Sequence, residues 1–273
     1  MRALGELGVR REEAGTPAIV EAIRAGLTFQ LKAAVGTDVI RAHEEDYLRR
    51  AAEVWDAHPS IEVLGNRDAE RLSIVSFVMR SPTGRYLHHN FVVAVLNDLF
   101  GIQSRGGCSC AGPYGHRLLG IDIEKSHEFE REIEHGCEGI KPGWVRVNFN
   151  YFISETVFEY IVQAVSMVAE HGWKLLPDYS FDPDSGLWHH RAGTVEPPLR
   201  LSMVHYDAAG TMVYPTTAHR APETALATYL IEAEAIFASH GEPDLETKQS
   251  LQGVSADFES LRWFDLPPIC LEP

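Results

Sequence analysis

Residues 144–172, WVRVNFNYFISETVFEYIVQAVSMVAEHG, decide the fold class of this chain. Apolar and polar residues alternate over WVRVNFNYF, which is the period-two pattern of a strand with one buried face. Ser154 then precedes a long apolar-periodic run that has Glu155 in its first turn, a pattern typical of a helix N-terminus. A strand that passes directly into a long helix predicts a sheet layer covered by helices.

The same two periods recur on the N-terminal side of this stretch. Helices are predicted over about 17–35, with Thr16 as N-cap and Pro17 in the first helical position, and over about 38–57. Asn90 is predicted to cap the helix FVVAVLNDLFG. The remaining segments predict the strands IEVLG, RLSIVSFVMR and GIQSR and the polar helix HEFEREIEHG. Together they predict an α+β fold, with a small mixed sheet packed with helices.

Composition narrows the class of protein and its partners. The chain has 39 acidic and 24 basic residues, a formal net charge of −15, and its arginines are scattered. Nucleic-acid binding is therefore disfavoured, because it needs a basic face. No apolar run reaches the ~18 residues of a membrane helix, and the start lacks a signal-peptide core. We therefore expect a cytoplasmic protein with no membrane partner, whose four cysteines are reduced.

The pattern and composition of the sequence change after Trp173. Residues 1–175 alternate strand and helix patterns, whereas residues 176–273 are rich in loops and prolines. We predict one helix in this C-terminal extension, at about 222–240. The stretch RWFDLPPIC near residue 270 is predicted to dock on the body of the protein, because exposed aromatic side chains are unfavourable.

The loop SRGGCSCAGPYG, residues 104–115, carries two of the four cysteines. Three interpretations stay open: buried packing, a nucleophile, or a zinc site built from Cys108, Cys110, Cys137 and a histidine. A lone C-x-C pair is a weak zinc signal, and His88-His89 is interpreted as ordinary polar sequence. The glycines allow positive φ and close backbone approach, and Arg105 can lower the pKa of a nearby thiol. These two features favour the nucleophile.

Four motifs in the same order resemble the class V aminotransferase superfamily, in particular the SufS-type cysteine desulfurases. The cysteine loop resembles their R-x-G-x-x-C-x-x-P loop, and residues 13–17, EAGTP, resemble a segment of the same sequence in those enzymes. RLSIVSF resembles their strand at a similar position. VRVNFNYFISE is similar to their R-x-S-x-x-x-Y-N-x-x-E region. The resemblance covers roughly residues 10–175.

The resemblance implies a cofactor, a substrate and a set of site residues. Members of that superfamily bind pyridoxal 5'-phosphate between the large and small domains of a dimer, and this chain resembles their small, C-terminal domain, of fold-type I. Arg146 matches the arginine that holds the α-carboxylate of an amino-acid substrate, and Arg105 is placed with it in substrate binding. Cys110 matches the sulfur-accepting nucleophile, whereas Cys108 has no counterpart. Gly15 and Thr16 match the segment that contacts the cofactor phosphate.

One part of the family pattern is missing. The family holds its cofactor through a Schiff-base lysine in a large domain, and none of the five lysines of this chain lies in a matching motif. We therefore expect a small domain plus an extension, acting as a homodimer or with a separate large-domain chain. Two alternatives remain open: aminotransferase activity without sulfur transfer, and a non-catalytic module for dimerisation or docking.

Overall fold

A computed structural model describes residues 15–107, 112–193, 199–215, 221–245, 251 and 253–272. The chain divides into two compact units, one ending at Asp46 and the other beginning at Tyr47. The division falls within the second helix. In the described parts of the chain, no helix combines the length and the apolar character that crossing a membrane requires.

The first unit contains helix α1 (Ile19–Val35) and the beginning of helix α2 (Thr37–Trp55), with Gly36 between them at a φ of +91°. The N-cap of α1 is Ala18, and it forms no side-chain capping bond. The prediction that Thr16 caps this helix is therefore wrong; the helix begins two residues later. No residue of α1 is buried. Its exposed large apolar side chains are Ile19, Val20, Ile23, Leu27, Phe29 and Leu31.

The second unit is built on a four-stranded sheet in the order β1-β2-β4-β3. The strands are β1 (Ile61–Val63), β2 (Ile74–Met79), β3 (Arg105–Gly107) and β4 (Trp144–Asn148). All three strand pairs are antiparallel. The predicted α+β class is confirmed, but the described sheet is antiparallel rather than mixed. A single parallel bridge, between Tyr86 and Phe264, lies outside the described strands.

Helices cover one face of this sheet and make the core. They are the C-terminal part of α2, α3 (His89–Phe100), α5 (Ile123–Glu134) and α6 (Glu155–His171). Helix α4 (Gly112–Leu118) packs on the other face, against Trp144. Val75 and Phe77 of β2 and Val145 and Val147 of β4 point into that core. Ser154 caps α6 as predicted, accepting a hydrogen bond from the Val157 amide at 3.2 Å.

The predicted cap of α3 is wrong by two positions. His88, not Asn90, is the N-cap, and its Nδ1 accepts a hydrogen bond from the Asn90 amide at 3.2 Å. A histidine ring nitrogen thus takes the role that an Asn, Asp or Ser side chain usually fills.

The C-terminal extension is folded largely onto the same core. It contains β5 (Tyr179–Asp182), β6 (Leu187–His190), β7 (His205–Tyr206), β8 (Met212–Val213), α7 (Leu226–Ser239) and α8 (Ala256–Leu261). Short 3₁₀ turns lie at Glu138–Ile140, Gly172–Asp178, Leu201–Met203, Glu223–Ala225 and Pro268–Leu271. Helix α7 matches the one predicted, whereas α8 was not predicted. Residues on both sides of position 175 share one hydrophobic cluster.

Residues 262–270, the RWFDLPPIC segment, dock on the body of the second unit. Phe264 is fully buried, and its ring contacts the ring of His88 with centroids 4.6 Å apart. Asp265 is also buried, and its carboxylate accepts hydrogen bonds from the hydroxyls of Ser81 and Thr83. A buried carboxylate is tolerated because these donors replace its water. The segment is therefore part of the core.

Replacing Phe264 by Ala is expected to lower the free energy of unfolding by about 3–5 kcal/mol, because it leaves a cavity among buried rings. Urea unfolding of the whole chain, followed by tryptophan fluorescence, measures the change. Ile269→Ala is the matched control, since Ile269 lies in the same segment but is 42% exposed. A Phe264→Ala protein as stable as the Ile269→Ala protein would show that the segment is not part of the core.

Candidate functional site

Three side chains form a row across the sheet, which we name the arginine row: Ser76, Arg146 and Arg105. Arg146 of β4 lies directly opposite Ser76 of β2 on one side and opposite Arg105 of β3 on the other. Residues directly opposite in neighbouring strands point to the same face of a sheet. Because Val145 and Val147 point into the core, the arginine row lies on the opposite face.

The two arginines have no partner among the described residues. Neither guanidinium forms an ion pair or a side-chain hydrogen bond there, in a chain with 39 acidic residues. Like charges directly opposite each other on a sheet destabilise it by a few tenths of a kcal/mol to about 1 kcal/mol. An anion bound between the two guanidinium groups would remove this repulsion, and a planar guanidinium binds a carboxylate through two parallel hydrogen bonds.

A small apolar cluster lies on the same face of the sheet. It consists of Leu64, Val78 and Trp144, with Leu118 and Leu119 packed against it. Gly115 of α4 makes this packing possible, because a Cβ there would lie 3.0 Å from the Trp144 ring. The buried Trp144 Nε1 has no hydrogen-bond partner among the described residues. The face therefore combines two cations with an apolar wall.

Two histidines and an asparagine lie beneath β3, on the core side. A Cβ on Gly106 would lie 2.6 Å from Asn90 Oδ1 and 3.0 Å from His89 Nδ1. A Cβ on Gly143 would lie 2.6 Å from His89 Cδ2. The glycines are therefore required for this close approach, and His89 and Asn90 support the strand that begins with Arg105. The interpretation of His88-His89 as ordinary polar sequence is wrong, because both residues are buried.

The hydrogen bonds of His88 fix its protonation state. Its Nδ1 accepts from Trp188 Nε1 at 3.0 Å and from the Asn90 amide, so that nitrogen carries no proton. Its Nε2 faces the Gly139 carbonyl at 3.2 Å and therefore carries the proton. Burial holds the pKa of His88 well below its usual range, and the neighbouring His89 lowers it further. His88 is thus a neutral, structural imidazole.

The cysteine loop gives less information. Cys108 and Cys110 lie outside the described residues, so their predicted roles stay predictions. Burial raises the pKa of the Cys137 thiol to about 11, and its Sγ lies 3.5 Å from the Pro183 carbonyl oxygen. Burial also raises the pKa of Cys270 to about 12. Both thiols are therefore protonated near neutral pH, and the part of the chain that the structure describes contains no cluster of three or more metal-binding side chains.

The residues predicted to contact a cofactor phosphate, Gly15 and Thr16, lie in the first unit and are both exposed. A Cβ on Gly15 would meet no atom within 4 Å. Because Thr16 does not cap α1, its hydroxyl is not engaged in the capping bond expected of it. The structure thus brings Arg105 and Arg146 together, and it places Gly15 and Thr16 in the other unit.

The sequence profile of the class-V aminotransferase family matches residues 8–128. A probable cysteine desulfurase of Halobacterium salinarum is 31% identical over 117 residues, which are 43% of this chain and 26% of that protein. A cysteine desulfurase of Dickeya dadantii is 33% identical over 103 residues, which are 38% of this chain and 23% of that protein. This chain thus matches about a quarter of the length of these curated relatives.

A solved structure also resembles this chain. The apo cysteine desulfurase of Thermococcus onnurineus NA1 has a TM-score of 0.44 and 26% sequence identity, over 58% of this chain and 33% of that one. The resemblance to class V aminotransferases of the cysteine desulfurase type, predicted from four motifs, is confirmed. The profile match ends at residue 128, so the motif that contains Arg146 lies beyond it.

The free energy of unfolding is expected to fall as the pH is lowered below about 6.5. Burial lowers the pKa of both His88 and His89 in the folded protein. In this range the unfolded chain binds more protons than the folded one, so stability is complete above the unfolded pKa and is lost below it. Each histidine contributes up to about 1.4 kcal/mol per pH unit. Urea unfolding between about pH 7.5 and pH 5.5 measures the slope.

Two variants separate this effect from general acid sensitivity. His89→Gln is expected to reduce the slope, whereas His127→Gln is expected to leave it unchanged, because His127 is exposed on α5. A wild-type stability that stays constant down to about pH 5.5 would contradict the buried neutral state of the two histidines.

Proposed function

We propose that this chain, whose residues 8–128 match the class-V aminotransferase family, is the substrate-binding part of a pyridoxal-phosphate enzyme of the cysteine desulfurase type. Its substrate is an amino acid, and the α-carboxylate binds at the arginine row. The chain covers only about a quarter of its curated relatives, so the activity of the whole enzyme is part of the proposal.

The observation that carries this proposal is the pairing of Arg105 with Arg146. The two arginines lie directly opposite each other on β3 and β4, on the same face of the sheet, with no acidic partner among the described residues. A bidentate, charge-assisted contact to a carboxylate fits this arrangement better than a single cation would. The apolar cluster around Trp144 lies on the same face and offers an apolar surface beside the two cations.

Cys110 is proposed as the thiol that receives the sulfur atom. It lies three residues after the end of β3, the strand that carries Arg105, so the chain connects the two groups directly. In the overall exchange L-cysteine and the Cys110 thiol give L-alanine and a Cys110 persulfide, which balances atoms and electrons. Arg105 would favour the thiolate form by electrostatic attraction.

Pyridoxal 5'-phosphate is the cofactor that the family resemblance implies, and it supplies the electron sink that such chemistry needs. The described residues do not by themselves fit the whole group. Gly15 and Thr16 offer an exposed hydroxyl and amides for a phosphate. Of the described lysines, Lys32 lies on α1, Lys125 on α5, and Lys141 and Lys174 in two turns; the Lys141 amine pairs with Glu138. We propose that residues outside these 273 hold the cofactor.

The exposed apolar face of α1 supports a partner for the first unit. Such a face is unfavourable in water, and the partner is a second copy of this chain or a separate large-domain chain. The same observation favours the second candidate function, a docking module without catalysis. Carboxylate binding at the arginine row distinguishes the two, because a docking module does not need it.

Arg146→Ala is expected to weaken binding of L-alanine to the chain by about 10- to 150-fold, the loss of a charge-assisted pair worth about 1.5–3 kcal/mol. Arg146→Lys should recover only part of the affinity, because an ammonium lacks the planar fork. Titration calorimetry measures the dissociation constants. Arg85→Ala, which removes an exposed arginine from a turn, is the matched control. Equal binding by the Arg146→Ala and Arg85→Ala proteins would reject the arginine row as the carboxylate site.

Cys110→Ser is expected to abolish persulfide formation from L-cysteine in the complete, cofactor-loaded enzyme. Its cofactor absorbance should be unchanged, because the nucleophile and the cofactor anchor are separate groups. Cys108→Ser is the natural control and should lose much less activity. If the Cys110→Ser enzyme forms persulfide at the wild-type rate, the desulfurase assignment fails and aminotransferase activity without sulfur transfer replaces it.

A further inference from the structure

In its neutral form, the buried imidazole of His89 cannot donate a hydrogen bond to both of its neighbours, whereas the neutral His88 ring satisfies all of its neighbours. Its Nδ1 lies 2.9 Å from Asn90 Oδ1, and its Nε2 lies 3.3 Å from the Lys141 carbonyl oxygen. Both of these partners are acceptors. A neutral imidazole has one N–H group and can donate to only one of them, whereas the protonated ring donates to both.

The Asn90 side chain cannot turn its amide nitrogen towards His89 to relieve this. Its Nδ2 donates to the Gly186 carbonyl at 2.7 Å, so rotating the amide by half a turn would place two oxygens against each other. Asn90 Oδ1 therefore stays directed at His89. In the neutral state one acceptor beside His89 faces a ring lone pair, an arrangement that is unfavourable in a buried site.

Burial opposes protonation of His89, and the positive charge of Arg105 lies across the strand from it. Burial lowers its pKa, while the contacts to Asn90 and to the Lys141 carbonyl raise it. Arg105 lies on the other face of β3, one residue from the Gly106 that touches the imidazole. The two rings that contact His89 carry no charge, since His88 is neutral and Trp263 is an indole. Of the carboxylates on the elements packed around it, Glu138 is paired with the Lys141 amine and Asp265 accepts hydrogen bonds from Ser81 and Thr83.

We propose that His89 takes up a proton from solvent when a carboxylate binds at the arginine row, so that ligand binding there is coupled to protonation of a buried imidazole. The inference rests on the proposed function, because it requires a carboxylate at Arg105 and Arg146. The bound carboxylate cancels part of the positive charge that repels the imidazolium. The proton then satisfies both acceptors, Asn90 Oδ1 and the Lys141 carbonyl.

The coupling has a definite sign and size. Unit charges ~10 Å apart at an effective dielectric constant of about 20 shift a pKa by roughly half a unit to one unit, after screening by salt. The pKa of His89 should therefore rise by about that amount on binding. Because linkage is reciprocal, carboxylate affinity should increase by roughly three- to tenfold as the pH falls through the range in which His89 titrates.

Titration calorimetry with L-alanine, in two buffers of different ionisation enthalpy and at several pH values between about 5 and 7, counts the protons taken up. The wild-type chain should take up about a few tenths of a proton per bound L-alanine, and His89→Gln should take up close to none. Gln keeps one donor and one acceptor at this buried position. His127→Gln, an exposed histidine on α5, is the matched control and should keep the wild-type value.

Nuclear magnetic resonance of the histidine rings provides a second measurement that needs no variant. Both rings lie near Trp263, with centroids 5.4 Å away for His88 and 5.9 Å away for His89, but His88 also lies 4.6 Å from Phe264. The ring with a contact to Trp263 and none to Phe264 is therefore assigned to His89, and its pKa is measured with and without L-alanine. Ethanolamine, which has the amine but no carboxylate, should leave that pKa unchanged. The His88 ring should stay neutral in both states.

The outcomes separate the two proposals. Binding of L-alanine that depends on Arg146 but leaves the His89 pKa and the proton count unchanged overturns the coupling and leaves the carboxylate site intact. Absence of any binding that depends on Arg146 overturns both. A rise in the His89 pKa that disappears in Arg146→Ala supports both.

Discussion

One face of strand β4 lies in the hydrophobic core and the other lies outside it, and the fold of the second unit depends on this division. Val145 and Val147 enter the core, while Trp144 and Arg146 face the other way. A shift of its register by one residue would bury Arg146 and expose both valines, which is strongly unfavourable. The position of the arginine row is thus fixed by hydrophobic burial on the opposite side of the same strand.

The position of β3 is fixed by glycines that allow the core to approach it closely. Gly106 and Gly143 leave room for His89 and Asn90 directly beneath the strand. Asn90 in turn bonds to Gly186 in the turn between β5 and β6, and Trp188 of that hairpin donates to His88. The C-terminal extension therefore supports Arg105 through a continuous set of buried polar contacts. The family profile, which ends at residue 128, does not include it.

Local patterns predicted most elements of the first 175 residues and the docking of residues 262–270, but not the side-chain contacts between distant segments. The alternation in WVRVNFNYF predicted β4, and Ser154 was correctly identified as the cap of α6. The caps at Thr16 and Asn90 were wrong because side chains with a good local propensity were not the ones that the backbone used. The contacts that bury His88 and His89 come from residues 139, 188 and 263, which lie far away in the sequence. A signal was present in their position, directly between Leu87 and the apolar run that begins at Phe91.

The docking of residues 262–270 has a consequence for the order in which this protein folds. Asp265 bonds to Ser81 across 184 positions of sequence, and Phe264 fills a site between His88 and Phe181. Contacts so distant in sequence form slowly, because a long loop must close before they can contribute. During synthesis, the aromatic site beside the sheet and α3 stays unfilled until residue 265 has left the ribosome. During that interval the nascent second unit exposes apolar surface and is a natural client for chaperones.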